Sequence, residues 1–160
     1  MSNVMRHRFG AKNPVLVEVA SATAIEVGDL IALVSNYGKT FFQIAGAART
    51  NASMGDCVQD FAGVAMQASA VGETTPIRVA TTGVFEYPCV AASVYTGYFA
   101  NINSSALAQK VAIATSINSL TMGAVFPNNV GGVGHGAGQQ TSCLVQIYTG
   151  AFGPKMDSAA

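Results

Sequence analysis

The residues of this chain that could do chemistry are few, and their spacing does not favour it. The two histidines, His7 and His135, stand far apart, and neither has a second His, Cys or carboxylate at ligand spacing. Cys57, Cys89 and Cys143 form no Cys-x-x-Cys, and an odd, widely spaced set predicts three reduced, mostly buried thiols rather than a disulfide framework. No Gly-x-Ser-x-Gly is present, and the carboxylates Asp56, Asp60, Glu73 and Glu86 fall in expected turns and strand ends. The run GGVGHGAGQQ, Gly131 to Gln140, has Ala137 where the third glycine of a dinucleotide fingerprint would stand. It also lacks the Lys-Ser or Lys-Thr of a P-loop, so it reads as a mobile or tightly turned surface loop. The sequons at Asn51 and Asn103 carry no weight without a secretory leader. The expectation is a chain with no catalytic residue, no cofactor and no metal: not an enzyme.

Composition points the same way. Of 160 residues half are hydrophobic and only 10% charged, with eight acids balancing eight bases. An ordinary soluble domain carries about 25% charge. A neutral chain lacks the basic face that phosphate neutralisation needs, so no nucleic-acid partner is expected. From Val111 to Pro154 there is no Asp, Glu, Lys or Arg, yet Asn118, Pro127, Asn128, Asn129, Gln139 and Gln140 interrupt the run. No stretch of about 18 apolar residues survives, so no membrane span is expected. A surface this poor in charge is expected to be covered by other copies of the chain. The start shows no apolar segment of signal-peptide length, which predicts synthesis in a cytoplasm.

Three parts are expected. Residues 1–14 read as an N-terminal arm, with Arg6, Arg8 and Lys12 and no acid, closed by Pro14; residues 15–153 form the β-rich body; residues 154–160 are a tail. With so little apolar content, the arm is expected to be flexible until it orders on a partner. In the body, VLVEV (15–19) alternates as a strand, VGD (27–29) turns into the strand LIALV, and SNYGKT (35–40) supplies a hairpin with FFQIA as the partner strand. Residues 46–60 read as an inserted loop, with at most a short helix over 52–58. Pro88 is placed at a strand end, since it cannot donate within a central ladder.

The most telling pattern is a repeat. EVGDLIAL is answered by YTGYFANI, with Gly97 standing where Gly28 stood; AGVAM by MGAVF, with Gly123 for Gly63; and IRVATTGVF by LVQIYTGAF. Three matches in the same order predict an internal pseudo-repeat that shares strands and diverges in loops. Gly63, Gly83, Gly123 and Gly150 are placed where a bend or close backbone approach helps to curl a sheet. Many short strands at this spacing predict a mainly β chain, a barrel or a sandwich.

Gly28-Asp29-Leu30, Gly63-Val64-Ala65, Gly72-Glu73, Ile77 to Ala80, Gly83-Val84-Phe85 and Pro88 follow one another in a distinctive order. So do Gly97-Tyr98-Phe99, Met122-Gly123-Ala124 and Leu144 to Ile147. Over about Val15 to Gly150 the chain resembles the family of small phage capsid decoration, or cement, proteins. The resemblance implies a small β-barrel or β-tulip-like domain with an extended N-terminal arm, similar to the lambda head-decoration protein. It further implies a homo-oligomer, typically a trimer, on the capsid exterior of the virion, bound to the major capsid protein and stabilising contacts between its subunits. The arm residues Arg6, His7, Arg8, Phe9 and Lys12 are then the capsid-contact candidates. The alternative is a receptor- or glycan-binding head appendage using Tyr95, Tyr98 and Phe99.

Overall fold

A computed structural model describes residues 6–45, 51–95, 97–103, 111–126, 136–149 and 151. His135, Gly150, Phe152, residues 131–135 of the glycine run and the tail 154–160 lie outside the described residues. The chain is mainly β: the described residues form eleven strands and two helices, and ten of the strands fall into two units of the same strand order.

The first unit contains β2 (Pro14–Val17), β3 (Leu30–Val34), β4 (Tyr37–Thr40), β5 (Phe61–Ala65) and β6 (Ile77–Ala80), hydrogen-bonded in the order β2-β6-β5-β3-β4. The second contains β7 (Val84–Val94), β8 (Phe99–Ile102), β9 (Val111–Ala114), β10 (Thr121–Val125) and β11 (Gly136–Ile147), in the order β7-β11-β10-β8-β9. Each strand of the first unit thus takes the same place as its counterpart in the second. β1 (Arg6–Phe9) is added to β7.

Five antiparallel strands cannot close on themselves without one parallel pair, because the direction of an odd ring does not match at the seam. The second unit closes in that way, through a parallel pairing of β7 with β9 at Cys89↔Val111. The first has a lone parallel bridge at the equivalent place, Val19↔Gly38. The result is a closed five-stranded barrel followed in space by a near copy held shut by a single bridge.

The registers also repeat. Leu30↔Val64, Ile31↔Gly63 and Ala32↔Phe61 in the first unit correspond to Phe99↔Ala124, Ala100↔Gly123 and Asn101↔Thr121 in the second. Both ladders skip one residue, Ala62 or Met122, so both carry a bulge next to the glycine. The glycines are required there. A Cβ on Gly63 would lie 2.0 Å from the Ala80 carbonyl oxygen, and one on Gly123 would lie 2.3 Å from that of Gln146. Each barrel turns its corner where two backbones touch with no side chain between them.

Inward-facing residues alternate along every strand and fill both lumens. Val17, Val19, Ile31, Ala62, Ile77 and Val79 pack in the first. Their register equivalents, Tyr87, Cys89, Ala100, Met122, Cys143 and Val145, pack in the second. The outer faces of β3 and β5, through Leu30, Ala32, Phe61 and Val64, join the second barrel's cluster, so one apolar core runs between the units.

Three local expectations are corrected. FFQIA is not the hairpin partner: β4 is Tyr37–Thr40, paired to β3 across Ser35 and Asn36, both at positive φ as a tight hairpin turn demands. Phe41–Ala45 is instead a helix, α1, started by a reciprocal cap in which Thr40 Oγ1 accepts from Gln43 N and Gln43 Oε1 accepts from Thr40 N. A second helix, α2 (Asn51–Gln59), occupies the expected insertion. Pro88 sits inside β7 rather than at its end. It is tolerated because one edge of β7 changes partner there, from β1 at Val84–Glu86 to β9 at Cys89, and the missing donor falls in the gap. Finally, the surface loop expected over 131–140 gives way to strand from Gly136 onward.

Candidate functional site

The arm residues offered as contact candidates are built into the molecule's own junction. Arg6–Phe9 runs antiparallel to β7, with Arg6 opposite Glu86, His7 opposite Phe85 and Phe9 opposite Val84. The chain then crosses to the first barrel through residues 10–13, which are tied to the inter-barrel linker. The Lys12 carbonyl accepts from Thr81 N at 2.9 Å and Thr82 N at 3.2 Å, and the Thr82 and Thr81 hydroxyls donate to the carbonyls of Ala11 and Asn13 at 2.6 and 2.8 Å. The arm is extended, as expected, but over residues 6–14 it is a strap on its own barrels and not a free tether.

The side chains confirm this. Arg8 Nε donates to Glu86 Oε2 at 3.0 Å, and its terminal nitrogen contacts the same oxygen as an ion pair. Its charge faces the chain itself. His7 stands edge-on to Phe85, with ring centroids 5.4 Å apart, and its Nε2 lies 3.1 Å from the Gly10 carbonyl oxygen. His7 and Lys12 share a shallow cleft of about 150 Å³ with Val27, Met66 and Phe85 at the barrel junction. The side chains of Arg6 and Phe9 are not described. The partner that the sequence did not reveal is Glu86; it lies 78 positions from Arg8, and no local pattern connects them.

Among the described residues no three His, Cys, Asp or Glu side chains gather as a metal site. Cys57, Cys89 and Cys143 are all buried free thiols. Burial, then the charges of Asp56 and Asp60, push the Cys57 thiol up to about 11. A hydrogen bond with Cys89, then burial, raises Cys143 further. Raised thiols stay protonated near neutral pH and are poor nucleophiles. Burial also holds the Tyr87 phenol well above its ordinary range, and its hydroxyl has no hydrogen-bond partner inside the second barrel. Among the described residues no helix is long and apolar enough to cross a membrane.

What the surface offers instead is apolar. Leu16, Val27, Tyr37 and Val71 are exposed on the first barrel, and Tyr95, Ile117 and Tyr148 on the second. A second groove, of about 490 Å³, opens beside the closing bridge of the first barrel between Glu18, Tyr37 and Pro76. Tyr95 meets Tyr98 edge-on at 5.4 Å, a corner rather than a flat stacking platform. The described surface thus consists of two filled barrels with strand edges and scattered apolar side chains. Fold and surface together define a small tandem-barrel β protein with no assembled reaction centre among the described residues. Compared with protein-family models and with curated proteins, the chain finds no match.

Proposed function

We propose that the chain is a structural phage capsid decoration protein that binds the outside of an icosahedral head and stabilises contacts between major capsid subunits. In this reading it is made in the host cytoplasm, acts on the virion exterior as a homo-oligomer, a trimer first, and takes no cofactor. The observation that carries the reading is the role of the motif glycines. Gly63 and Gly123, which anchor the resemblance to the decoration family, mark the two bulges on which both barrels turn. A filled, charge-poor double barrel can act by shape alone, holding neighbouring subunits through many copies of a modest interface. Because Arg8 is paired with Glu86, the contact candidates in the strap reduce to Arg6, His7, Phe9 and Lys12.

The test is to incubate purified expanded heads lacking decoration with the chain and image them by cryo-electron microscopy. The expected result is density on the outer surface in symmetric clusters of three copies. Bare heads at micromolar chain would overturn the reading. The Tyr95–Tyr98 corner keeps the glycan-binding appendage as the second reading, and binding to a glycan array by a chain that leaves heads bare would favour it.

A further inference from the structure

The repeated register exposes a difference between the barrels that neither barrel shows alone. In the second, one edge of β7 is covered twice: β1 pairs with Val84–Glu86, and β9 takes over at Cys89. The equivalent edge of the first barrel belongs to β2. Leu16 opposite Arg78 corresponds to Glu86 opposite Leu144, and Val19↔Gly38 corresponds to Cys89↔Val111. On this edge β4 covers the position of Val19, but among the described residues nothing pairs with Pro14–Leu16, the stretch that corresponds to Val84–Glu86. Pro14 at the strand's start is itself a mark of an edge.

We infer that the Pro14–Leu16 edge of β2 is a strand-addition site for an extended segment of a partner polypeptide, entering antiparallel as β1 does on β7, with an apolar residue facing Leu16. The covered edge supplies the template for the geometry, and the edge residues supply the chemistry. On β7 Arg6 stands opposite Glu86, and Arg8, in the adjoining bulge, pairs with it through its side chain, a charge for a charge. On β2 the same position is Leu16, 71% exposed, which a charged partner would leave unmatched. The donor is therefore not the β1 of another copy, which would set Arg6 opposite Leu16 with Arg8 beside it, and whose removal would strip Glu86 of its partner. The donor belongs to a different protein. Main-chain hydrogen bonds would supply affinity and the residue facing Leu16 would supply selectivity, as in other strand additions. The inference rests on the fold alone and stands apart from the capsid reading.

The probes are two capped peptides of residues 4–12, one of native sequence and one with both Arg6→Leu and Arg8→Leu, titrated into the labelled full chain by NMR. The doubly substituted peptide is expected to shift the amides of Val15, Leu16 and Val17 and to bind roughly two- to fivefold tighter than the native one. Leu16→Glu, at an exposed position that should not disturb folding, is expected to reverse that order by copying the Glu86 edge. Shifts confined to Val84–Glu86, no shift with either peptide at millimolar concentration, or an unchanged order in Leu16→Glu would each overturn the site. Sedimentation of the chain alone provides the remaining check: a dimer abolished by Leu16→Glu would assign the edge to a second copy and overturn a foreign donor.

Discussion

The two barrels share a strand order, a seam, a bulge and a register, yet they agree in almost none of the side chains that fill them. Ile31 in one is Ala100 in the other, Ala62 is Met122, and Val17 is Tyr87. Large and small residues trade places across each lumen, so total volume is kept while identity is not, which packed cores tolerate. The cross-strand pair beyond the bulge shows what decides polarity. In the first barrel it is Ala32↔Phe61, with Phe61 packed edge-on against Phe41 of α1 at 5.4 Å. In the second it is Asn101↔Thr121, hydrogen-bonded at 2.8 Å, with Asn101 also donating to Asn118 of a short loop. Where helices roof the position it is apolar; where only a short turn lies over it, the pair satisfies its own polar groups. The lesson is that backbone geometry at the bulge sets the topology, and side chains answer to whatever covers them.

The sharpest way to break that comparison is at the shared joint. Gly63→Ala and Gly123→Ala should each cost upward of about 4 kcal/mol or prevent folding, because the added methyl meets a carbonyl oxygen within a ladder. Gly63 should be the worse, since its φ of +142° adds backbone strain. Denaturant midpoints of the two variants measure this, and a loss below about 1 kcal/mol at both would mean that the bulge does not set the fold.

The second comparison is in alkali. Cys57 and Cys143 titrate higher in the folded chain than the ordinary 9.0 of a thiol, and Tyr87 higher than 10.0. The unfolded chain therefore loses those protons first, binds fewer than the folded one, and gains stability as pH rises. Folding stability should hold up to about pH 9 as far as these groups act, and fall from there through pH 11. Chemical denaturation across that window, repeated on Cys57→Ala and Tyr87→Phe, should show a shallower fall in each variant.

Tyr87→Phe also tests the second lumen at neutral pH. Removing a buried hydroxyl that has no partner should raise stability by about 1 kcal/mol; a loss of that size would reveal a partner. Arg8→Ala should have the smallest effect, below about 1 kcal/mol and shrinking with salt, because the pair with Glu86 is partly solvated.

The sequence made much of this design legible, and its failures have physical causes. Two of the repeated phrases, EVGDLIAL with YTGYFANI and AGVAM with MGAVF, announced the tandem units because the bulge and the turns at Gly28 and Gly97 demand glycine whatever fills the barrel. IRVATTGVF and LVQIYTGAF, by contrast, match one residue out of the structural register, in which Ile77 answers to Cys143. FFQIA was misread because a five-residue apolar run has no period of its own; the missed signal was Thr-Phe-Phe-Gln, the helix cap just before and within it. The strap and its ion pair were hidden because pairing with β7 is set by tertiary approach across some 80 residues, and a basic, acid-free start looks the same free or docked. That nothing among the described residues pairs with Pro14–Leu16 could not be read from sequence at all, since it shows only against what covers Val84–Glu86.

Amide hydrogen exchange of the isolated chain, resolved residue by residue by NMR, tests the two-barrel account most directly. Val84, Phe85 and Glu86 lie between β1 and β11, whereas among the described residues Val15 and Leu16 have only β6 beside them. The account predicts slow exchange at all three β7 amides and fast exchange at whichever of Val15 and Leu16 points away from β6. Equal protection of both edges in a monomeric chain, or a fast edge on β7, would contradict it.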